Sequence, residues 1–401
     1  MGILRYPEDR KIIGKIKNRG FDEKIIEKTR EIILSVKKGG DSSILKFTKE
    51  FDKIALSSLR VNEKRFYLAY KDIKRDDIEA IKKAIKNIST FHKRQLRKTW
   101  KKTEKGKTMG EIIKPIKRVG LYIPGGKFPL VSTLLMTAIP AKIAGVSEIA
   151  VACPPPINPY ILGICYLLKI NEVYQMGGAQ AIAGFAYGTK MIKKVDLIAG
   201  PGNIYVTSAK RLVFGDVGID LLAGPSEILI IADKSCNPEF VSFDLLAQAE
   251  HGTGGFSILI TSSKTLAKEV EKNVGNKATI IITKNLNDAC YLSNLFSPEH
   301  LCLYTKEPES LLEKIENAGC IFLGQYSPVA LGDYITGPSH VLPTSQSARF
   351  FSGLSVSTFQ KRISLISYIK EGVLEDKDAI RLAEIEGLIK HKESIEKRCK
   401  S

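Results

Sequence analysis

The sequence predicts an α/β fold built on parallel β-sheet. From about residue 119 onward, short apolar runs of strand length alternate with segments of helical periodicity, and glycine-rich loops join each run to the next helix. Parallel strands need such helical crossovers, so the alternation favours repeated βαβ units. At 401 residues with 44% hydrophobic content, the chain is long enough for two or more domains with buried cores.

The elements follow from the apolar pattern in chain order. The first 112 residues favour helices with a three-and-four apolar spacing, interrupted at Gly39-Gly40. A strand then begins at Val119 and runs into the glycine loop at Gly125-Gly126. Further strands are predicted at 149–153, 173–176, 197–199, 227–232, 279–283 and 321–323, with helices at 134–145 and 177–188.

Charge is distributed unevenly along the chain. The formal net charge is +18, and residues 1–118 contain 34 Lys and Arg against 16 Asp and Glu, whereas the remainder contains 27 of each. The basic run 92–118, which includes Trp100, makes a nucleic-acid surface a legitimate hypothesis. Lysine-rich solvated helices give the same count and no nucleic-acid motif accompanies the run, so we expect no nucleic-acid partner.

The composition also indicates the compartment. No apolar run approaches the roughly 20 residues that span a bilayer, and the N-terminus has no hydrophobic signal segment. The seven cysteines are scattered without a Cys-x-x-Cys pair, which is typical of reduced core residues. Cys302 is a candidate nucleophile by its position near His300, but a buried small hydrophobic residue is the favoured interpretation. We therefore expect a cytoplasmic protein without membrane association.

Glycine loops at the strand ends favour a ligand of the nucleotide class. The chain lacks Gly-x-Gly-x-x-Gly, and Gly125-Gly126-Lys127 does not match a phosphate-binding loop, so a kinase or standard Rossmann assignment is unsupported. Three of the loops nevertheless have a polar or aromatic side chain, namely Tyr122, Gln180 and Asn203. Such loops can hold a dinucleotide through backbone amides and helix N-termini.

Four of the five histidines lie in segments that read as turns or helix ends, which points to metal binding, proton transfer or both. His92, in a basic run, is set aside. Gln248 and His251 are three residues apart in an amphipathic stretch, so they share one face of a helix that ends at Gly252. An ordinary helix end has the same pattern.

The remaining candidates each have a plain alternative. Ser297-Pro298-Glu299-His300 is typical of a helix start with an acidic residue near the dipole. Asp333, seven residues before His340, also fits a turn-capping residue, and Glu386 and His391 fit a solvated helical tail. Jointly, Gln248, His251, Asp333 and His391 form a nitrogen and oxygen set suited to zinc, although sequence distance does not show that they meet.

Together these segments resemble the histidinol dehydrogenase family, the zinc enzymes of histidine biosynthesis, from about Gly20 to His391. Seven ordered motifs carry the resemblance: Val-Gly-Leu-Tyr-Ile-Pro-Gly-Gly from Val119, Gly-Gly-Ala-Gln-Ala-Ile-Ala from Gly177, Ala-Gly-Pro-Gly-Asn from Ala199, Ala-Gly-Pro-Ser-Glu from Ala223, Gln-Ala-Glu-His from Gln248, Ser-Pro-Glu-His-Leu from Ser297 and His-Val-Leu-Pro-Thr from His340. The sequence departs from the family pattern at Ser339, where Asn is frequent, and in a short tail after His391.

The resemblance implies two related Rossmann-like α/β domains, one inserted in the other, with small helical terminal segments. It implies an N-terminal dimerisation segment (1–17), a main α/β domain with the catalytic residues (18–121 and 226–355), an inserted NAD-binding α/β domain (122–225) and a C-terminal helical segment (356–401). The last segment would complete the active site of the partner subunit in a homodimer.

The resemblance also implies the residue roles. Glu299 activates water and His300 is the general base. One zinc ion per subunit is bound by Gln248, His251, Asp333 and the partner-supplied His391, while Ser226, His340 and Glu386 contact the substrate together with the catalytic pair and the zinc ligands. Tyr122, Gln180 and Asn203 contact NAD.

The implied reaction is the NAD-dependent four-electron oxidation of L-histidinol to L-histidine through L-histidinal. The chemistry suits the residues, because a base takes the hydroxyl proton as hydride leaves and a carboxylate activates the water that attacks the aldehyde. Zinc would act chiefly as a template. The alternative is a related zinc-dependent NAD dehydrogenase that acts on another small alcohol.

Overall fold

The structure, a computed structural model, describes residues 3–16, 22–125, 129–250 and 254–400. The strands are β1 (Leu4–Arg5), β2 (Trp100–Glu104), β3 (Lys107–Pro115), β4 (Arg118–Tyr122), β5 (Glu148–Cys153), β6 (Glu172–Gln175), β7 (Leu197–Ala199), β8 (Gly218–Ile219), β9 (Ile228–Ala232), β10 (Ser257–Thr261), β11 (Thr279–Ile282), β12 (His300–Tyr304), β13 (Cys320–Leu323) and β14 (Gln360–Tyr368). The α-helices are α1 (Arg10–Ile13), α2 (Glu23–Phe51), α3 (Lys64–Asp72), α4 (Arg75–Lys93), α5 (Val131–Ala144), α6 (Pro159–Leu167), α7 (Gly178–Tyr187), α8 (Ile204–Val213), α9 (Pro238–Ala249), α10 (Lys264–Val274), α11 (Leu286–Phe296), α12 (Val329–Leu331), α13 (Lys370–Glu375), α14 (Ala379–Ile385) and α15 (Ile389–Lys400).

A five-stranded parallel sheet has the order β6-β5-β4-β7-β8. Its central strand β4 is buried at every position, as expected of a strand covered by helices on both faces. Helices α5 and α6 share one core with this sheet, and α7 and α8 share a second core on its other face. The predicted strand and helix alternation is therefore confirmed for this part of the chain.

A six-stranded parallel sheet has the order β1-β11-β10-β9-β12-β13. Strand β9, with the sequence Ile-Leu-Ile-Ile-Ala, lies at the centre of this sheet and is buried at every position. Apart from the edge strand β1, the strands follow the chain-order pattern 3-2-1-4-5, which is also the pattern of the five-stranded sheet. The parallel α/β class is confirmed, and the two sheets share one doubly wound topology.

The N-terminal helices cover the five-stranded sheet. Helix α2 is sharply kinked at Gly40, whose φ of 54° favours glycine, and the predicted break at this point is confirmed. The core of α2 packs with α7 and α8, while α3 and α4 pack on α6 and α5. The predicted division into domains stays a prediction, and β4 begins at Arg118, ahead of the predicted boundary at residue 121.

The helical prediction is wrong from residue 100 to its end at residue 112, because this segment belongs to the hairpin of β2 and β3. Lys105 and Gly106 both have positive φ, the turn geometry that matches the twist of a two-residue hairpin. Strand β14 pairs along the whole of β3, so the three strands form an antiparallel sheet that carries the C-terminal helices. Strand β14, which pairs with the whole of β3, is thus some 250 residues away in sequence. The local periodicity around β3 therefore does not indicate this partner.

The structure also bears on the cysteines and on membrane-spanning helices. All seven cysteines are free thiols, and Cys302 is fully buried in β12, as expected of a small hydrophobic residue. Across the described ranges, no helix combines the length and apolar character that crossing a membrane requires.

Candidate active site

The carboxyl edge of the five-stranded sheet opens into a cleft of about 620 Å³. Tyr122, Gln180 and Asn203, the three residues predicted to contact a dinucleotide, all line it. We call it the cofactor cleft. Its position is the usual one for a ligand in a doubly wound sheet, beside the point where the strand order reverses at β4 and β7.

Each of these three side chains is placed by a strand end or a helix start. The hydroxyl of Tyr122, the last residue of β4, accepts a hydrogen bond of 3.1 Å from the Gly178 amide. Asn203 caps α8, where its side-chain oxygen accepts from the amides of Tyr205 and Val206. Gln180, in the first turn of α7, is 1% exposed, and its Oε1 has no partner among the described residues.

A buried ion pair fixes the loop between β7 and α8. Lys210 and Asp220 pair with side chains that are almost wholly inaccessible, and Lys210 Nζ donates to the Gly200 carbonyl at 3.0 Å. Asp220 accepts from the Gly200 amide at 2.7 Å, so both polar groups of Gly200 are held. A side chain at Gly200 would clash with the Tyr122 carbonyl, 2.1 Å from an added Cβ. The loop therefore stays close to β4.

A second cleft, of about 260 Å³, lies at the amino edge of the six-stranded sheet. The predicted site residues that line it are Ser226, Gln248, Glu299, His300, Asp333 and His340. Its opposite wall contains Thr133, Pro201 and Gly202 from the carboxyl edge of the five-stranded sheet. This catalytic cleft, as we name it, thus lies between the two sheets.

Glu299 and His300 reach the cleft at the start of a strand. Helix α11 ends at Phe296 because Ser297 adopts a left-handed conformation with φ of 48°, and β12 begins at His300. The interpretation of this segment as a helix start is therefore wrong. The register pairs His300 with Ile228 of β9, which places Glu299 beside Glu227.

The bonds of His300 define which ring nitrogen faces the cleft. Nδ1 lies 2.9 Å from the Glu227 carbonyl, which only accepts, so Nδ1 donates. Nε2 is buried without a hydrogen bond among the described residues and lies 3.7 Å from Asp333 Oδ1. Burial opposes protonation of the ring, but the Glu299 and Asp333 carboxylates outweigh burial and raise the pKa of His300 to about 9.

Glu299 is held by a residue that the sequence reasoning missed. Its Oε2 accepts a 2.8 Å hydrogen bond from the amide of Glu227, which is 0% exposed. Burial raises the pKa of Glu299 to about 7 and that of Glu227 to about 8. The sequence signals for Glu227 are its place in the Ala-Gly-Pro-Ser-Glu motif and at the start of a predicted strand. Neither signal indicates its partner, from which 72 residues separate it.

His340 and Asp333 form the other side of the catalytic cleft. His340 Nδ1 donates to the Asp333 carbonyl at 2.9 Å, and Nε2 lies 3.2 Å from the Thr133 hydroxyl of α5. Asp333 is part of a π-helical turn, Gly332–Thr336, a form frequent at functional sites. The buried hydroxyl of Ser339, the departure from the family pattern, donates to the Met136 carbonyl at 3.2 Å.

The predicted zinc ligands are brought together only in part. Gln248 and Asp333 line the same cleft, where the amide oxygen of Gln248 and the carboxylate of Asp333 are the candidate ligand atoms. Helix α9 ends at Ala249, and His251 lies outside the described residues, as do Gly126 and Lys127 of the first glycine loop and the boundary at residue 17.

Glu386 and His391 do not join the cleft of their own chain. His391 is exposed on α15, which packs on α13 and α14, and neither residue is among the described lining residues. Within the described ranges, no group of three or more His, Cys, Asp or Glu side chains is arranged to hold a metal ion. The donors present fit an incomplete nitrogen and oxygen site that needs His251 and a ligand from elsewhere.

The chain is similar to known proteins in both sequence and fold. The family model described as Histidinol dehydrogenase matches residues 16–399. The chain is 43% identical to "Histidinol dehydrogenase" of Caldanaerobacter subterraneus subsp. tengcongensis, with 96% of each chain covered, and 41% identical to "Histidinol dehydrogenase" of Methanocaldococcus jannaschii, covering 99% of this chain and 97% of that one. A crystal structure of histidinol dehydrogenase from Elizabethkingia anophelis matches with a TM-score of 0.93 at 35% identity, over 99% of this chain and 98% of that chain. Since the match extends over nearly the whole chain in both sequence and fold, the protein belongs to the histidinol dehydrogenase family.

Proposed function

We propose that this chain catalyses the NAD-dependent oxidation of L-histidinol to L-histidine through L-histidinal, the last steps of histidine biosynthesis. The observation that carries the proposal is the catalytic cleft, in which a base, a carboxylate and candidate metal ligands face the carboxyl edge of a sheet with a dinucleotide-sized cleft. Family membership favours histidinol over another small alcohol as the substrate.

His300 is the general base for the alcohol. Because its Nδ1 donates to the Glu227 carbonyl, the neutral ring presents Nε2, the basic nitrogen, to the cleft. Nε2 takes the hydroxyl proton while the substrate carbon loses hydride to NAD, the acceptor that the reaction requires. A base held in this geometry typically contributes about 10²–10⁴-fold to the rate.

Glu299 activates the water that converts the aldehyde to its hydrate. One of its carboxylate oxygens, Oε2, is occupied by the Glu227 amide, which leaves Oε1 for water. A pKa of about 7 suits a group that must accept and release a proton near neutral pH. His300 is then the base for the second hydride transfer as well, from the hydrate.

Substrate is held by Ser226 and His340 within the cleft and by Glu386 from the C-terminal segment. We assign zinc to Gln248, His251, Asp333 and His391, of which Gln248 and Asp333 share the cleft. A zinc ion there would supply a fixed positive charge that orients the substrate nitrogens and offsets the Asp333 carboxylate, which favours neutral His300.

NAD binds in the cofactor cleft through Tyr122, Gln180 and Asn203. The buried Oε1 of Gln180 has no partner among the described residues, and a hydroxyl of a dinucleotide can donate to it. The N-terminal end of the α8 dipole, at Asn203, favours a phosphate group nearby. The uncharged lining of Tyr122, Gln180 and the prolines 154–156 suits the flat, apolar faces of the nicotinamide and adenine rings.

A homodimer with shared active sites accounts for the C-terminal segment. Leu382, Ile385 and Ile389 on α14 and α15 are 63%, 69% and 55% exposed in the single chain, which marks an interaction surface. Glu386 directly follows α14 and His391 lies on α15, so a partner seated on this surface would bring both residues to the other subunit's cleft. We place the enzyme in the cytoplasm, where free cysteines persist.

The first test is NADH formation from L-histidinol by purified protein, before and after chelation and return of zinc. We expect two NADH per histidinol, loss of activity with the chelator and recovery with zinc. Two NADH without any effect of chelation would refute the metal assignment, and absence of NADH from zinc-loaded protein would refute the reaction.

The shared site has its own test. His300→Ala and His391→Ala are each expected to be inactive, but a refolded equal mixture of the two should recover about a quarter of wild-type activity, since half the dimers then have one intact site. Either variant refolded alone is the control. A mixture that stays inactive, although it contains mixed dimers, would place His391 outside the partner's site.

A further inference from the structure

We propose that the side chain of Glu227 is a positioning group that fixes the backbone of Glu299, from which the Glu299 carboxylate extends, and thereby controls aldehyde oxidation more than alcohol oxidation. The inference rests on the proposed roles of Glu299 and His300. Glu227 itself lies behind these two residues, since it does not line the catalytic cleft as they do.

Glu227 and Glu299 form a reciprocal pair. The Glu227 amide donates to Glu299 Oε2 at 2.8 Å, and the Glu299 amide donates to Glu227 Oε2 at 3.4 Å. Strands β9 and β12 pair in parallel from Ile228 and His300 onward, so the two glutamates stand one residue ahead of the paired strands. Each glutamate side chain therefore accepts from the backbone amide of the other glutamate, at the position just before the ladder of the two strands begins.

The other groups of Glu227 hold the rest of the site. Its carbonyl accepts from the His300 amide at 3.2 Å and from His300 Nδ1 at 2.9 Å. Its second carboxylate oxygen, Oε1, accepts from the Ser345 amide at 2.9 Å, in the loop that follows His340. One side chain thus joins the start of the catalytic strand to the loop that follows His340.

A buried carboxyl group at this position needs contacts that offset the cost of its burial. Glu227 is 0% exposed, and a buried carboxyl group is costly relative to an apolar side chain of similar volume. A carboxyl group provides two oxygens here, which accept from two backbone amides on different segments. Glutamine has one acceptor oxygen and an NH₂ group, so Glu227→Gln keeps the shape but satisfies only one of the two amides.

The decisive experiment measures the two half-reactions separately for the zinc-loaded enzyme, with L-histidinol and with L-histidinal as substrates. For Glu227→Gln we expect kcat with histidinal to fall about 10-fold, equivalent to about 1.4 kcal/mol, while kcat with histidinol falls less than about 3-fold and both KM values stay within about 2-fold. In a Glu299→Gln background the same change should add little further loss, because it acts through the carboxylate that is already absent.

Asp233→Asn is the matched control. Asp233 follows β9 directly, and its carboxylate accepts from the Lys306 amide beyond β12 at 3.0 Å, so it performs the same strand-joining task at the end remote from the cleft. We expect no step-selective change. If Glu227→Gln does not fold, Glu227→Asp, whose shorter side chain cannot reach both amides, should show the same selective loss.

The outcomes separate this inference from the proposed function. Equal slowing of both half-reactions, additive loss with Glu299→Gln, or no change in either half-reaction would overturn the positioning role. Wild-type protein that makes no NADH from either substrate refutes the proposed function itself, and a Glu299→Gln variant without step selectivity refutes the role of Glu299. Neither of these two readouts depends on the Glu227 variants.

Discussion

The two parallel sheets have the same strand order but open their clefts at opposite edges. In the five-stranded sheet, Tyr122 and Asn203 follow β4 and β7, at the carboxyl edge. In the six-stranded sheet, Glu227 and Glu299 precede β9 and β12, at the amino edge. The usual rule places ligands at carboxyl edges, and the second sheet departs from it because its amino edge faces the first sheet's carboxyl edge across one cleft.

The side chains differ as much as the edges. The cofactor cleft is lined mainly by uncharged groups such as Tyr122 and Gln180, whereas the catalytic cleft gathers ionisable groups, among them Glu299, His300 and Asp333. One topology thus supplies a largely uncharged cleft from loops and helix starts in one copy and a cluster of ionisable groups in the other. The variants below change one cleft while leaving the other intact.

The largest effect is expected in the catalytic cleft. His300→Ala removes the base and should lower kcat with histidinol by about 10²–10⁴-fold. Zinc content by elemental analysis and NAD affinity by calorimetry should stay at wild-type values, since the ring is not among the proposed ligands. Loss of zinc or of NAD binding in this variant would show that the two clefts are not functionally separate.

Glu299→Gln should slow the oxidation of histidinal more than the oxidation of histidinol. With the water-activating carboxylate gone, histidinal oxidation should slow by about 10²-fold and histidinol oxidation by far less. Single-turnover measurements with each substrate provide the comparison. Equal slowing of both steps would contradict the separate roles of Glu299 and His300.

Asp52→Asn tests the cofactor cleft. Asp52 follows α2 and lines this cleft, its Oδ2 is buried without a partner among the described residues, and burial raises its pKa. Hydroxyl groups of a bound dinucleotide would supply the missing donors, so we expect the Kd for NAD to rise about 10-fold, with kcat at saturating NAD unchanged.

The control for this variant is Asp72→Asn, which removes an exposed carboxylate from the last residue of α3, outside the cleft. Calorimetry with NAD compares the two variants. Equal affinity in the Asp52 variant and the wild type would mean that the cleft binds NAD without this carboxylate.

The smallest effect concerns pH and stability. The pKa of Glu227 is raised to about 8 in the folded protein, mainly by burial, so protonation favours the folded state. This stabilisation is complete below the ordinary carboxyl pKa and is lost as pH rises through about 8. Between pH 6 and pH 9 the Tm of the wild type should therefore fall by about 2–4 °C more than that of Glu227→Gln. Thermal scans that give the same fall in Tm between pH 6 and pH 9 for both proteins would contradict the raised pKa of Glu227.

The sequence predicted much of the cofactor cleft and less of the catalytic one. Tyr122, Gln180 and Asn203 lie at strand ends and helix starts that apolar runs and glycines mark locally. Glu299 read locally as part of a helix start, because nothing within a few residues shows that Ser297 ends α11 and that β12 follows. The hairpin at residues 100–115 was missed for the same reason, since its partner β14 is far along the chain.

The sequence by itself determined the parallel α/β class, the positions of seven of the eleven strands in the two parallel sheets described above, the family resemblance and the candidate side chains. Those features depend on short-range periodicity and on ordered motifs, which are properties of the chain. Only the tertiary structure decided that β9 and β12 are neighbours, that Glu227 therefore meets Glu299, and that an amino edge faces a carboxyl edge. Strand order and the packing of one sheet against another arise from contacts between distant segments, and local periodicity does not encode them.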